Sequence, residues 1–131
     1  MGIDDLIEIV KSQDWYSGQI VATREIPAKG AEYAELKEPL PELLQRYLEA
    51  KGIRLYTHQV EAIERIRAGE NVVITTPTAS GKTLAFNLPI FEHLYREKKA
   101  TALYIYPLKA LTNDQLKVIR ELEAATGIDL E

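Results

Sequence analysis

The run Thr75-Thr76-Pro77-Thr78-Ala79-Ser80-Gly81-Lys82-Thr83 constrains this chain more than any other stretch of it. It follows the apolar residues Val72, Val73 and Ile74, and it leads into a segment from Leu84 to Arg96 whose apolar residues recur at helical spacing. A loop set between a strand and a helix presents consecutive backbone N–H groups to one point. The first amides of a helix have no acceptor of their own, and the dipole is positive at that end, so the loop is a concave anion site. Gly81 lets the backbone come close, Lys82 carries charge to the β and γ phosphates, and the Thr83 hydroxyl is placed to coordinate Mg2+. The run therefore predicts a nucleoside-triphosphate site formed by Thr78, Ala79, Ser80, Gly81, Lys82 and Thr83, with Lys82 as its catalytic cation and Thr83 as its metal ligand. The strict G-x-x-x-x-G-K-[ST] pattern fails at its first position, where Thr76 replaces glycine. A Gly-Lys-Thr or Gly-Lys-Ser triplet arises by chance in about one chain in twenty of this length. The flanking strand and helix, more than the triplet, carry the assignment.

Those flanks belong to an alternation of elements. Residues 71–75 form a short apolar run without polar alternation, which suits a strand buried on both faces of a parallel sheet, and residues 100–106 form a second. Helices are predicted over residues 81–96 and 108–125, the second stopped by Gly127. Pro89 lies inside the first of them, where the lost backbone donor predicts a kink. Upstream, helices are predicted over residues 3–13, 41–50 and 57–69, with Asp4 and Asp5 in the first turn of one, Pro41 opening the next and Thr57 capping the third. An extended segment is expected over residues 18–26, and Trp15 and Tyr16 read as members of a small N-terminal core. Strand, helix, strand, helix is an α/β order.

Composition narrows the function classes. With 131 residues the chain is about one domain, and 46% hydrophobic content suffices for a core. Its net charge of −4 gives no global basic field, so contact with nucleic acid has to be local. There is no cysteine, which removes disulfides and thiolate metal sites, and the two histidines, His58 and His93, are too far apart for a local pair. They read as surface or satisfied helix residues. No membrane span or leader segment is seen, and a cytoplasmic protein is expected.

Two further segments stand in order around the loop: Leu55-Tyr56-Thr57-His58-Gln59 before it, and Tyr106-Pro107-Leu108-Lys109-Ala110-Leu111-Thr112-Asn113-Asp114-Gln115 after the second apolar run. Alone, Tyr56 would read as a core aromatic and Gln59 as a solvated residue in a helix's first turn. Taken with the loop, the three segments resemble the superfamily-two DExH helicases, and most of all the DNA-repair branch typified by the mitomycin repair factor helicase. The likeness extends to Phe86 and Pro89 after the loop and runs from about Gly18 to about Gly127. It implies a RecA-like lobe that binds ATP and Mg2+, with Gln59 reading the adenine edge and Tyr56 stacking on the base. It also implies that Pro107, Lys109, Ala110, Leu111 and Thr112 meet the backbone of single-stranded nucleic acid. Leu108 departs from that family's pattern, standing where threonine is common.

ATP hydrolysis in that family needs an Asp-Glu-x-His motif and an arginine from a second lobe. Ile128-Asp129-Leu130-Glu131 is the sole acidic candidate after the loop, and no strand precedes it. The resemblance thus implies the front part of the first motor lobe (residues 41–131, with residues 1–40 an N-terminal extension), truncated before the Walker B strand. It further implies a parent that is an ATP-dependent 3′-to-5′ DNA helicase. The chain alone is expected to bind nucleotide without turning it over. An open sheet edge would favour self-association. Another P-loop ATPase, a small-molecule kinase, or a nonenzymatic module on the same scaffold remain the alternatives. A guanine-specific GTPase is disfavoured, since no Asn-Lys-x-Asp is present.

Overall fold

The computed structural model of the chain describes residues 2–28, 30–76 and 81–129. They gather into two compact units, Met1–Gly30 and Ala31–Glu131.

In the first unit, helix α1 spans Ile3–Lys11. The Gly2 N–H donates to Asp5 Oδ2 at 2.8 Å, and acidic residues in the first turn with Lys11 in the last complement the dipole. The helix stops short of residue 13 because side chains take over its final acceptor: Ser12 Oγ and Gln13 Nε2 both donate to the Ile9 carbonyl, at 2.8 and 2.9 Å. None of its residues is buried. Trp15, expected in a small core, is 63% exposed, and residues 18–26 form no regular element.

The second unit holds α2 (Glu42–Ala50), α3 (Thr57–Arg67), α4 (Lys82–Arg96) and α5 (Lys109–Thr126). Helix α3 packs on α4, while α2 and α4 pack on α5. Their apolar stripes meet in one cluster of Leu40, Leu44, Tyr47, Leu48, Ile63, Leu88, Phe91 and Leu122. Phe91, Ile63, Leu88 and Leu122 are fully buried, so truncating Phe91 to alanine should cost about 3–5 kcal/mol. Helix α4 is continuous through Pro89, which is itself buried. An ion pair braces α3 against α4: Arg67 meets the Glu92 carboxylate with both prongs, Nε to Oε2 at 2.9 Å and Nη2 to Oε1 at 2.7 Å.

Two expectations need correction. Among the described residues, 71–76 and 100–106 pair in no strand ladder, and neither run is buried on both faces. Val73, Leu103 and Ile105 are 87%, 86% and 82% exposed, whereas Val72, Ile74, Tyr104 and Tyr106 are half-buried. Alternation with period two is what an extended backbone gives when only one face is covered. The continuous apolar core of each run hid this, because both faces carry apolar side chains, Val73 on one and Val72 and Ile74 on the other. The second correction concerns α3, whose cap is not Thr57. Tyr56 is the N-cap residue, and its N–H is satisfied by Gln59 Oε1 at 2.8 Å from three residues on.

Candidate nucleotide and nucleic-acid site

Gly81 and Gly127 take up left-handed backbone at φ 75° and 68°, but only Gly81 is crowded there. A Cβ on Gly81 would lie 2.4 Å from Gln59 Nε2 and 3.8 Å from Tyr56 Cδ2, so glycine is required both for conformation and for space. Gly81 is the N-cap of α4, and Lys82 and Thr83 open the helix behind it. Both are half-buried, and Lys82 makes no ion pair with a described residue. The first turn of α4 carries no acidic residue, in contrast to α1 and α2, which place Asp4, Asp5 and Glu42 there. The positive end of α4 is thus left without an internal counter-charge, which suits an incoming anion. Thr78, Ala79 and Ser80, the remaining loop residues assigned from sequence, lie outside the described residues.

The segment carrying Tyr56 and Gln59 is pinned from two sides. Residues 32–34 bridge it in antiparallel fashion, with Ala34 N–H donating to the Leu55 carbonyl at 3.1 Å and Thr57 N–H to the Glu32 carbonyl at 3.0 Å. The Tyr33 and Tyr56 rings stack at 5.3 Å, Tyr56 and His58 at 5.7 Å, and the Arg54 guanidinium sits 4.4 Å from the Tyr33 centroid. Tyr56 therefore already has ring partners within the protein. Sequence reasoning missed Tyr33 and Arg54; the spacing of Arg54 and Tyr56 on one side of the extended segment before α3 was the signal available. Gln59 is 1% exposed, and its Nε2 donates to the Gly81 carbonyl at 2.8 Å. The resemblance implies that Gln59 reads the adenine edge; the structure shows it bonded directly to Gly81.

The third segment forms the start of α5. Leu108 is its N-cap in extended backbone, Lys109 is its first residue, and the Thr112 hydroxyl donates to the Leu108 carbonyl at 3.2 Å. Pro107, Lys109, Ala110, Leu111 and Thr112 are all exposed, and again no acid sits in the first turn. Free helix amides plus one lysine can meet a phosphodiester without reading a base. The half-buried side of residues 100–106 reaches α4 at Asn87. Tyr104 Oη donates to Asn87 Oδ1 of α4 at 2.9 Å, and the Tyr104 and Tyr106 rings stack at 6.2 Å. Burial pushes the Tyr104 phenol up to about 12, with the neighbouring Tyr106 adding to the shift. Among the described residues, no group of acidic or histidine side chains is arranged to hold a metal by itself, and no helix is long and apolar enough to cross a membrane.

Comparison with known proteins identifies the family. The DEAD/DEAH box helicase family profile matches residues 56–131. The ATP-dependent helicase YprA of Bacillus subtilis is 35% identical over 130 residues, 98% of this chain and 17% of that protein. The ATP-dependent helicase hrq1 of Schizosaccharomyces pombe is 35% identical over 124 residues, 92% of this chain and 12% of its own. Among solved structures, the helicase MrfA bound to DNA and AMPPNP superposes with a TM-score of 0.86 at 35% identity, over 100% of this chain and 18% of MrfA. The chain spans less than a fifth of each of these relatives. With the family profile matching residues 56–131, more than half of its length, the chain belongs to the DEAD/DEAH box helicases.

Proposed function

We propose that the chain is the front part of the first RecA-like lobe of an ATP-dependent DNA helicase, working 3′ to 5′, with residues 41–131 contributing to its nucleotide site. The observation that carries this reading is the start of α4: a left-handed glycine, a lysine without an ion-pair partner among the described residues, a threonine, and no acid in the first turn. In this reading Thr78 to Thr83 bind the triphosphate of ATP. Lys82 neutralises the β and γ phosphates, and the Thr83 hydroxyl takes one position on Mg2+. Bound ATP supplies a transferable phosphoryl group; the residues of this chain hold and orient it. Pro107, Lys109, Ala110, Leu111 and Thr112 hold the single-strand backbone, which accords with MrfA having been solved with DNA. The chain alone binds nucleotide weakly and does not hydrolyse it, since neither Asp-Glu-x-His nor a second-lobe arginine is among its residues. Its exposed apolar side, marked by Val73, Leu103 and Ile105, joins a second copy when isolated.

Titration with a fluorescent ATP analogue and Mg2+ tests the reading. Binding that Lys82→Ala abolishes supports it, and binding indifferent to that change defeats it.

A further inference from the structure

Helix α4 holds Tyr104 with two consecutive residues. Asn87 Oδ1 accepts from Tyr104 Oη at 2.9 Å, and the Phe86 ring lies tilted against that of Tyr104, with centroids 6.2 Å apart. Asn87 is fully buried and follows Thr83 by four residues, one turn along the same face of α4. On its other side Tyr104 stacks on Tyr106, and Tyr106 leads through Pro107 to Leu108, the N-cap of α5. Direct contacts and chain therefore run without a gap from the helix that opens with Lys82 and Thr83 to the segment that opens with Pro107.

The polar groups along this path are incompletely used. Asn87 Nδ2, Tyr106 Oη and, on α5, Gln115 Oε1 are buried and have no hydrogen-bond partner among the described residues. The first is a donor, the last an acceptor, and the hydroxyl either. A buried polar group left unpaired is costly, so a hydroxyl that phenylalanine would dispense with calls for a reason other than stability. As placed, none of the three is bonded, and a bond among them requires one element to shift against another. An element with two such arrangements is the physical means by which two sites sense each other.

We propose that Asn87, Tyr104 and Tyr106 are positioning residues that couple α4 to the segment from Pro107 to Thr112. Nucleotide at α4 changes the affinity of that segment for single strand, and single strand changes the affinity for nucleotide by the same factor. The proposal rests on the reading of both regions as ligand sites.

The test titrates a fluorescent ATP analogue with Mg2+ into the whole chain, with and without a single-stranded oligothymidine. The parent is expected to show a change of about fivefold or more between the two titrations. Tyr106→Phe removes an unpaired hydroxyl, so it should melt no lower than the parent and bind each ligand alone within about twofold. It should nonetheless reduce the change between titrations to less than about twofold. Tyr104→Phe should reduce it likewise, at a lower melting midpoint. An equal change in the parent and in Tyr106→Phe, or no change in the parent, would overturn the proposal. A Tyr106→Phe chain melting well below the parent would show the hydroxyl to be structurally paired and overturn it as well. If Lys82→Ala leaves nucleotide binding intact, or the oligonucleotide does not bind the parent, the underlying site reading fails and the proposal falls with it.

Discussion

Replacing Arg67 with methionine should destabilise the second unit by about 3 kcal/mol, and the size follows from what is left behind. The Arg67 side chain is 15% exposed and that of Glu92 only 4%. Breaking a buried, doubly hydrogen-bonded pair strands a charge and costs about 3–5 kcal/mol. Arg67→Met leaves the Glu92 carboxylate with Arg96, whose Nη2 is 3.2 Å away, and this second cation places the loss at the lower end. Arg67 Nη1 also donates to the Glu38 carbonyl at 2.6 Å, but that contact lies on the exposed side, where water can take it over. For a chain of this length about 3 kcal/mol corresponds to roughly 10–15 °C in the melting midpoint, read by circular dichroism. The double variant Arg67→Met, Glu92→Leu removes both charges and leaves Arg96, 56% exposed, in solvent. It should return to within about 1 kcal/mol of the parent. A single variant melting within about 2 °C of the parent, or a double variant no better than the single, would refute the argument that stranded charge sets the cost.

Two other outcomes follow from residues 100–106. The Tyr104 phenol is pushed up to about 12 by burial, while an unfolded tyrosine titrates near 10. The native state therefore binds the proton more tightly: this contribution to stability is complete below pH ~10 and is lost as pH rises through the folded value. Tyr104→Phe should lessen that alkaline loss, and it should destabilise at neutral pH by about 1–3 kcal/mol because buried Asn87 loses its partner. Phenolate absorbance and thermal melts across pH check both. Sedimentation of the isolated chain should show concentration-dependent dimers that Leu103→Lys with Ile105→Lys suppresses, and a clean monomer at high concentration would contradict the proposed apolar contact.

Much of this was legible in the sequence because helices announce themselves locally. Apolar residues at helical spacing, Pro41, Gly69 and Gly127 placed four helices of the second unit within about two residues of their observed ends. The triplet Gly81-Lys82-Thr83 fixed the start of α4 because a crowded left-handed position admits only glycine. What sequence could not show is which side of an extended apolar run is covered. Val73 and Ile74 are chemically alike, yet one is exposed and the other half-buried, and that depends on which helices pack nearby. Nor could it show that Gln59 is spent on two backbone groups, one of them far along the chain, or that Tyr56 already stacks on Tyr33. Such pairings are set by tertiary approach, and no local pattern encodes them. In the N-terminal unit the helix was legible but the small core around Trp15 was not: an amphipathic pattern such as that of α1 promises a partner without placing one.

The most direct measurement is the set of amide resonances moved by Mg2+–ATP in isotope-labelled chain. The account predicts the largest shifts at the backbone amides of Gly81, Lys82, Thr83 and Leu84 and at the side-chain amide of Gln59, all lost in Lys82→Ala. Shifts confined to other helix ends, with the α4 N-terminus and Gln59 unmoved, would contradict it.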